Sequence, residues 1–480
     1  MMARIKKKNY DIDSILIVRN GIIVLDAYFW PFTRGQKHNI ASCTKSIVSA
    51  LIGIAMDKGF IRSINQPVID FFQDKKIANM DDRKKSITIE NLLMMSSGLK
   101  CTDTYRHQWE GLYEMRNNKD WAQYVLDLPM AEFPGKTFEY CNGVSFLLSA
   151  IISNTTKVST LDFARNNLFT PIGIVDVDWA TSPQGNYLGY GEMWLTPRDM
   201  ARIGWLYLNK GCWGKQQIVP SAWVEASSRE HIDATLFDHY GYQWWIDSDG
   251  YYMAVGHGGQ RIFVVPGKNL VVVFTGQLEG KENFIPEKLL EKYIIPASSS
   301  VNTLPADVKR QGRLNDLVSD AAKAGQFVWT SAHEGIAQNC TFRRTASPAF
   351  QFQYPIGSKK AQTEAPGQIM RLKSPGNVVI YASIIDIPDG IKIDAFGPQY
   401  FCQMLRKYGS NIKVTSNKEI TLRCGSKTYR TNIEWVWNHN VPMTTFLVTA
   451  YKDGKSIFLN TLTWDNPQRC EPIIQSLIFE

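Results

Sequence analysis

Apolar residues recur along this chain in two different rhythms. Near the start, Ser14-Ile-Leu-Ile-Val18 runs into an Arg19-Asn20-Gly21 turn and then Ile22 to Leu25. Asn-Gly between two short apolar runs predicts a β-hairpin. A matching pair comes late: Ile262 to Val265, a Pro266-Gly267-Lys268-Asn269 turn, and the continuous apolar stretch Leu270 to Phe274. Early and late strands are expected to share one antiparallel sheet. Between them the period lengthens to that of a helix, predicting helices over Thr44–Lys58 (ending at Gly59), Ile89–Met95, Val144–Ser153 and Pro197–Leu208 (ended by Asn209-Lys-Gly211). Strands at both ends with a helical middle predict an α+β fold: an antiparallel sheet flanked by helices with an all-helical insert, not a doubly wound sheet.

The pattern breaks near Ala297-Ser-Ser-Ser-Val-Asn-Thr-Leu-Pro305, where the residues turn small and polar. Residues 297–312 are read as a linker between a first domain, 1–296, and a second α+β domain, 313–480. The second is predicted to open with a helix over Arg313–Ala324. Strands follow over Val378–Ile384, Glu419–Leu422, Thr428–Trp437, Thr444–Ala450 and Ser456–Thr463, with a helix near Tyr400–Lys407. A length of 480 residues suits two or more such units.

With 44% hydrophobic and 20% charged residues, the chain is too apolar for intrinsic disorder and too polar for a membrane bundle. The longest apolar run, Ile47 to Ala55, stops at Asp57 and Lys58, well short of the roughly 18 residues a transmembrane helix needs. The basic cluster Lys6, Lys7 and Lys8 is followed by a strand-like segment rather than a secretory apolar core, so the chain as written carries no export signal. Of the net charge of +8, +7 lies beyond residue 300, where 21 basic residues face 14 acidic ones. They are scattered rather than striped, which argues for a solvated surface and against a nucleic-acid partner. Eight cysteines without a Cys-x-x-Cys pair are read as free thiols, and seven histidines without ligand spacing predict no metal. No cofactor is expected.

Three segments carry chemistry. Ser42-Cys43-Thr44-Lys45 opens the strongest helical pattern, placing Ser42 at or near the N-cap. A Ser and a Lys three residues apart share one helical face, so an ammonium or amine can sit beside the hydroxyl and help move its proton. Tyr140-Cys141-Asn142 puts a phenol and an amide two apart just before a helix. A Tyr beside Lys45 could act as a general base, and Asn142 could bond a substrate carbonyl. Gly256-His257-Gly258-Gly259-Gln260 lies at a strand edge, where glycines allow close approach and a backbone N–H can donate to an oxyanion. Each has a plainer reading: a helix cap, a packed tyrosine, a glycine-rich turn.

In that order and spacing, Ser42-x-x-Lys45, Tyr140-x-Asn142 and His257-x-Gly259 resemble the serine β-lactamase and penicillin-binding-protein superfamily. The resemblance is specifically to its class C β-lactamase-related branch, with esterases, D-amino-acid peptidases and nylon-oligomer hydrolases. Ile87 to Leu99, Thr196 to Gly204 and Ile218 to Trp223 look like that branch too, and the similarity covers roughly residues 10–290. The resemblance implies a serine hydrolase of small-molecule esters or amides. In it Ser42 is acylated, Lys45 and Tyr140 pass its proton, Asn142 orients substrate, and the N–H groups of Ser42 and Gln260 form the oxyanion hole. The alternative it leaves open is a penicilloyl-binding or sensor protein acylated without turnover. His257 stands where β-lactamases usually have Lys, which leaves ester or amide substrates more open than β-lactams. Cys43 and Cys141 are expected to pack, and Asp103 to be a surface carboxylate. The implied location is the cell envelope if a leader precedes the chain, and otherwise the cytoplasm. Gly397-Pro398-Gln399-Tyr400-Phe401, Ile433-Glu434-Trp435 and Ser476 to Phe479 resemble the α/β sandwich of the photosystem extrinsic-protein type, implying binding or scaffolding.

Overall fold

The computed structural model describes residues 1–322 apart from 9, 30, 31, 104–109, 279 and 300–306, and beyond them chiefly the strands between 340 and 479. An eight-stranded antiparallel sheet dominates the first part. Its strands are β1 (Ile12–Arg19), β2 (Ile22–Tyr28), β3 (Ile232–Asp233), β4 (His239–Tyr240), β5 (Trp245–Asp247), β6 (Tyr251–Gly256), β7 (Gln260–Val265) and β8 (Leu270–Gly276), in the order β2-β1-β8-β7-β6-β5-β4-β3. β1 pairs with β8 in register Ile15↔Phe274 and Ile17↔Val272, so the early and late strands share one antiparallel sheet, as expected. Every residue of β8 is buried, as its unbroken apolar run requires.

Among its helices are α1 (Met2–Lys8), α2 (Thr44–Asp57), α3 (Ile89–Leu93), α4 (Glu110–Asn117), α5 (Trp121–Asp127), α6 (Asn142–Thr156), α7 (Pro197–Leu208), α8 (Ile285–Leu289) and α9 (Val308–Ala321). α2 and α6 are buried nearly all round and pack on each other at the middle of the molecule. α7 lies on β7 and β8. It approaches closely at Gly204, where a Cβ would stand 2.6 Å from Val271 and 2.8 Å from Ile262.

Two elements depart from expectation. The basic amino terminus is a helix, α1, because Met2 and Ile5 have a core to enter. Within the stretch read as a linker, α9 starts at Val308 rather than Arg313, capped by Asp307, whose carboxylate accepts the Arg310 N–H at 3.0 Å. Leu314, Leu317, Val318 and Ala321 of α9 pack against the core of the first sheet and its helices. Lys6 of α1 pairs with Asp320 at 2.5 Å.

Later in the chain, strands Lys359–Lys360, Gln368–Ser374, Val378–Asp386, Lys455–Thr463, Pro442–Lys452, Lys427–Trp437 and Gly409–Thr421 form a seven-stranded antiparallel sheet in that order. A separate three-stranded sheet joins Cys340–Arg344, Phe350–Tyr354 and Ile478–Phe479. The expected strands are present and mostly longer; of Glu419–Leu422, the residues to Thr421 end a strand that starts at Gly409, and Leu422 lies outside the described residues. Most of the expected helix near Tyr400–Lys407, and the Gly397 to Phe401 segment, lie outside the described residues.

Candidate active site

Ser42 sits in a single 3-10 turn, Ala41–Cys43, that leads into α2. Ala41 adopts φ 47°, a left-handed conformation that a residue with a Cβ takes at a cost. Two bonds hold it there: the Ala41 N–H donates to Asn39 Oδ1 at 2.9 Å, and its carbonyl accepts from Thr44 Oγ1 at 2.7 Å. Cys43, not Ser42, occupies the N-cap of α2, with no side-chain cap. The 3-10 turn supplies the entry geometry and leaves the Ser42 hydroxyl to Lys45.

Lys45, one turn on, is 2% exposed. Its Nζ donates to Ser42 Oγ at 3.1 Å, Asn142 Oδ1 at 2.8 Å and the Tyr190 carbonyl at 2.9 Å. Burial pushes its pKa down from 10.5 to about 7, and the opposing pull of Asp103 and Cys43 is weaker. Tyr140 approaches from the extended segment before α6, with its ring centroid 4.8 Å from Lys45 Nζ and stacked on Trp245. Asn142 is the first residue of α6, and its Oδ1 is turned to Lys45 rather than to an incoming substrate. Its N–H donates to Asp103 Oδ2 at 2.7 Å.

The third segment is the turn between β6 and β7. Gly256 pairs with Gln260, and Gly258 and Gly259 take φ 79° and 87°, conformations open to glycine. A Cβ on Gly256 would lie 2.5 Å from the Ile40 carbonyl and 3.2 Å from Ala41 Cβ, so this strand end rests directly on the Ser42 turn. His257 is exposed at the tip, while Gly259 and Gln260 are buried. The Gly258 N–H donates to Asn283 Oδ1 at 2.9 Å. The buried Arg261 guanidinium binds the Gly256, Gln260 and Asn283 carbonyls at 2.8, 2.9 and 2.7 Å and pairs with Glu287 of α8 at 2.5 Å. It braces the turn from below.

Two sequence expectations need correction. Cys101 and Cys141 form a disulfide, whereas Cys43 and Cys212 are free. Forty residues separate the pair, so only the fold brings it together. Asp103 is not on the surface: it is 2% exposed, and burial raises its pKa above the usual carboxylate value. Cys43 does pack, fully buried, its thiol pushed up to about 12 and directed at the Gln260 carbonyl. Sequence reasoning also passed over Tyr190, Arg116, Glu192 and Arg261. Of these only Arg261, a charge opening an apolar strand, gave any signal.

Among the described residues, two groups of metal-capable side chains converge. One is Cys101, Asp103 and Cys141, whose sulfurs are spent on the disulfide. The other is the surface trio Glu230, Asp233 and His239, where His239 Nδ1 faces Asp233 at 3.0 Å.

Residues 8–290 match the family model described as Beta-lactamase. A 6-aminohexanoate-dimer hydrolase of Paenarthrobacter ureafaciens is 23% identical over 285 residues, 54% of this chain and 71% of that protein. Protein flp of Staphylococcus aureus (strain COL) is 28% identical over 200 residues, 38% of each, so the chain spans well under half of that relative. Among solved structures, a penicillin binding protein from Bacillus halodurans superposes with TM-score 0.50 at 18% identity, covering 61% of this chain and 99% of that one. SurE gives TM-score 0.50 at 14% identity, covering 82% and 94%. With a β-lactamase/transpeptidase-like sheet and the match spanning most of it, this chain belongs to the Beta-lactamase family of hydrolase folds.

Proposed function

We propose that the protein is a serine hydrolase of ester or amide bonds that works through a Ser42 acyl-enzyme. One observation carries this reading: a buried Lys45 amine 3.1 Å from Ser42 Oγ with its other two contacts fixed on carbonyl oxygens. A neutral amine has two N–H bonds and one lone pair. Donating the two hydrogens to Asn142 Oδ1 and the Tyr190 carbonyl leaves the lone pair for the Ser42 hydroxyl. A pKa near 7 keeps a large share of Lys45 in that form at neutral pH.

Ser42 Oγ then adds to the substrate carbonyl carbon as its proton passes to Lys45. The Ser42 and Gln260 N–H groups receive the oxyanion, and Tyr140 relays the proton to the departing alcohol or amine. Water repeats the addition on the acyl-enzyme, its proton takes the same path, and the acid leaves with Ser42 restored. Asn142 works chiefly by orienting Lys45. His257, at the exposed tip, meets the substrate's outer part, and an imidazole there suits neutral esters or linear amides better than carboxylate-bearing lactams. The 6-aminohexanoate-dimer hydrolase relative makes linear amides the first class to try.

The test is hydrolysis of p-nitrophenyl esters, linear amide oligomers, D-amino-acid amides and nitrocefin by the parent and Ser42→Ala. Turnover of at least one class, lost by several orders of magnitude in Ser42→Ala, is expected. A Ser42→Ala protein as fast as the parent rejects the reading. Acylation without turnover would mark a penicilloyl-binding or sensor protein instead.

A further inference from the structure

Behind Lys45 lies a second layer of charge. Arg116, on α4, is 5% exposed; its guanidinium donates to Tyr190 Oη at 3.1 Å and to Glu192 Oε1 at 2.8 Å. Glu192, itself at φ 55°, accepts through its other oxygen from Asn39 Nδ2 at 3.0 Å. Asn39 in turn holds the Ala41 N–H in the strained turn before Ser42. On the other side, the Tyr190 carbonyl accepts from Lys45, and both cations lie over the Tyr190 ring, Lys45 at 5.8 Å and Arg116 at 5.6 Å from its centroid. One ion pair is therefore linked through Asn39 to the turn of Ser42 and through Tyr190 to Lys45.

We propose that Arg116 and Glu192 are positioning residues: together they hold the Ser42 turn and Tyr190 in place, and by cancelling each other they fix the charge that Lys45 feels. The inference rests on the hydrolase reading above for its consequence in catalysis, but not for its electrostatics. The groups facing Lys45 are Cys43 on its own element, Asp103 beyond α3, Tyr140 before α6 and Tyr190 before α7; Arg116 and Glu192 lie behind Tyr190, joined to it through Arg116. Arg261 reaches the same corner through Cys43. A buried arginine and a partly buried carboxylate kept as a pair contribute little net field; either one alone is an uncovered charge.

That makes a signed prediction. Arg116→Met leaves the Glu192 carboxylate uncovered and favours protonated Lys45, moving the acid limb of the kcat/KM profile to higher pH. Glu192→Gln leaves the guanidinium uncovered and moves it to lower pH. Each displacement should be about half a unit to one unit. The double variant returns to the parent midpoint, and Arg116→Lys, which keeps the charge, stays near it. The midpoint is read two ways: from ester hydrolysis, and from the 13Cε resonance of Lys45 in lysine-labelled protein, assigned with Lys45→Met. If Arg116→Met does not fold, Glu192→Gln against Arg116→Lys carries the test. Opposite displacements by NMR in a protein without turnover would uphold this inference and reject the hydrolase reading. Single variants that lose activity with midpoints unmoved, or moved in the same direction, overturn the inference and reduce the pair to a structural role.

Discussion

Lys45 holds the account together at the scale of single residues. Its folded pKa near 7 lies far below the 10.5 of an unfolded chain. Between those values the unfolded state binds the extra proton, so raising the pH through this window stabilises the fold with respect to this group. Thermal melts from pH 7 to 10 should show the parent gaining stability relative to Lys45→Met, with the difference flat below pH 6; a constant offset across the range would contradict a buried amine that loses its proton. Activity has the same origin and should rise through about pH 7 as the amine becomes available. Asp103 is the neighbouring charge that favours the protonated amine, so Asp103→Asn should move that rise to lower pH. Asp103→Leu also strands the buried Asn142 N–H and should cost about 1–3 kcal/mol, read from denaturant midpoints.

Between elements, the site depends on close approach. Gly256→Ala would drive a methyl into the Ile40 carbonyl 2.5 Å away and separate the β6 end from the Ser42 turn. Steady-state assays should show kcat/KM falling by tenfold or more while the far-UV spectrum is unchanged. The disulfide ties the loop of Asp103 to the segment of Tyr140 and Asn142; closing some forty residues, it is worth about 4 kcal/mol by chain entropy, a loss the paired Cys101→Ser, Cys141→Ser protein should show in urea. Much of this architecture was legible in the sequence. Pro197–Leu208 was read to the residue, and Thr44, where α2 begins, was read correctly, because amphipathic spacing and stop signals are local. What escaped is long-range. The Cys101–Cys141 bond, the burial of Asp103 and the Arg116–Glu192 pair arise only when segments far apart in the chain converge. The 3-10 turn that moves the cap from Ser42 to Cys43 follows from the left-handed Ala41, which no propensity favours.

For the whole molecule, the sheet and its helices end with α9, which covers apolar surface beside β2 and is tied to α1 by Lys6 and Asp320. A protein ending at residue 306 should therefore melt lower than one ending at 322, and calorimetry of the two would show it. The chain's net charge of +8 comes almost entirely from residues beyond 300, outside the segments that assemble around Ser42. Those segments come from positions 42, 140 and 257, and their convergence is the central claim. The most direct measurement is intact-protein mass spectrometry with peptide mapping after a fluorophosphonate probe, across pH 5 to 9. One adduct on the peptide carrying Ser42 is expected, forming faster as pH rises through about 7 and absent in Ser42→Ala. An adduct on any other residue, or equal labelling of Ser42→Ala, would contradict it.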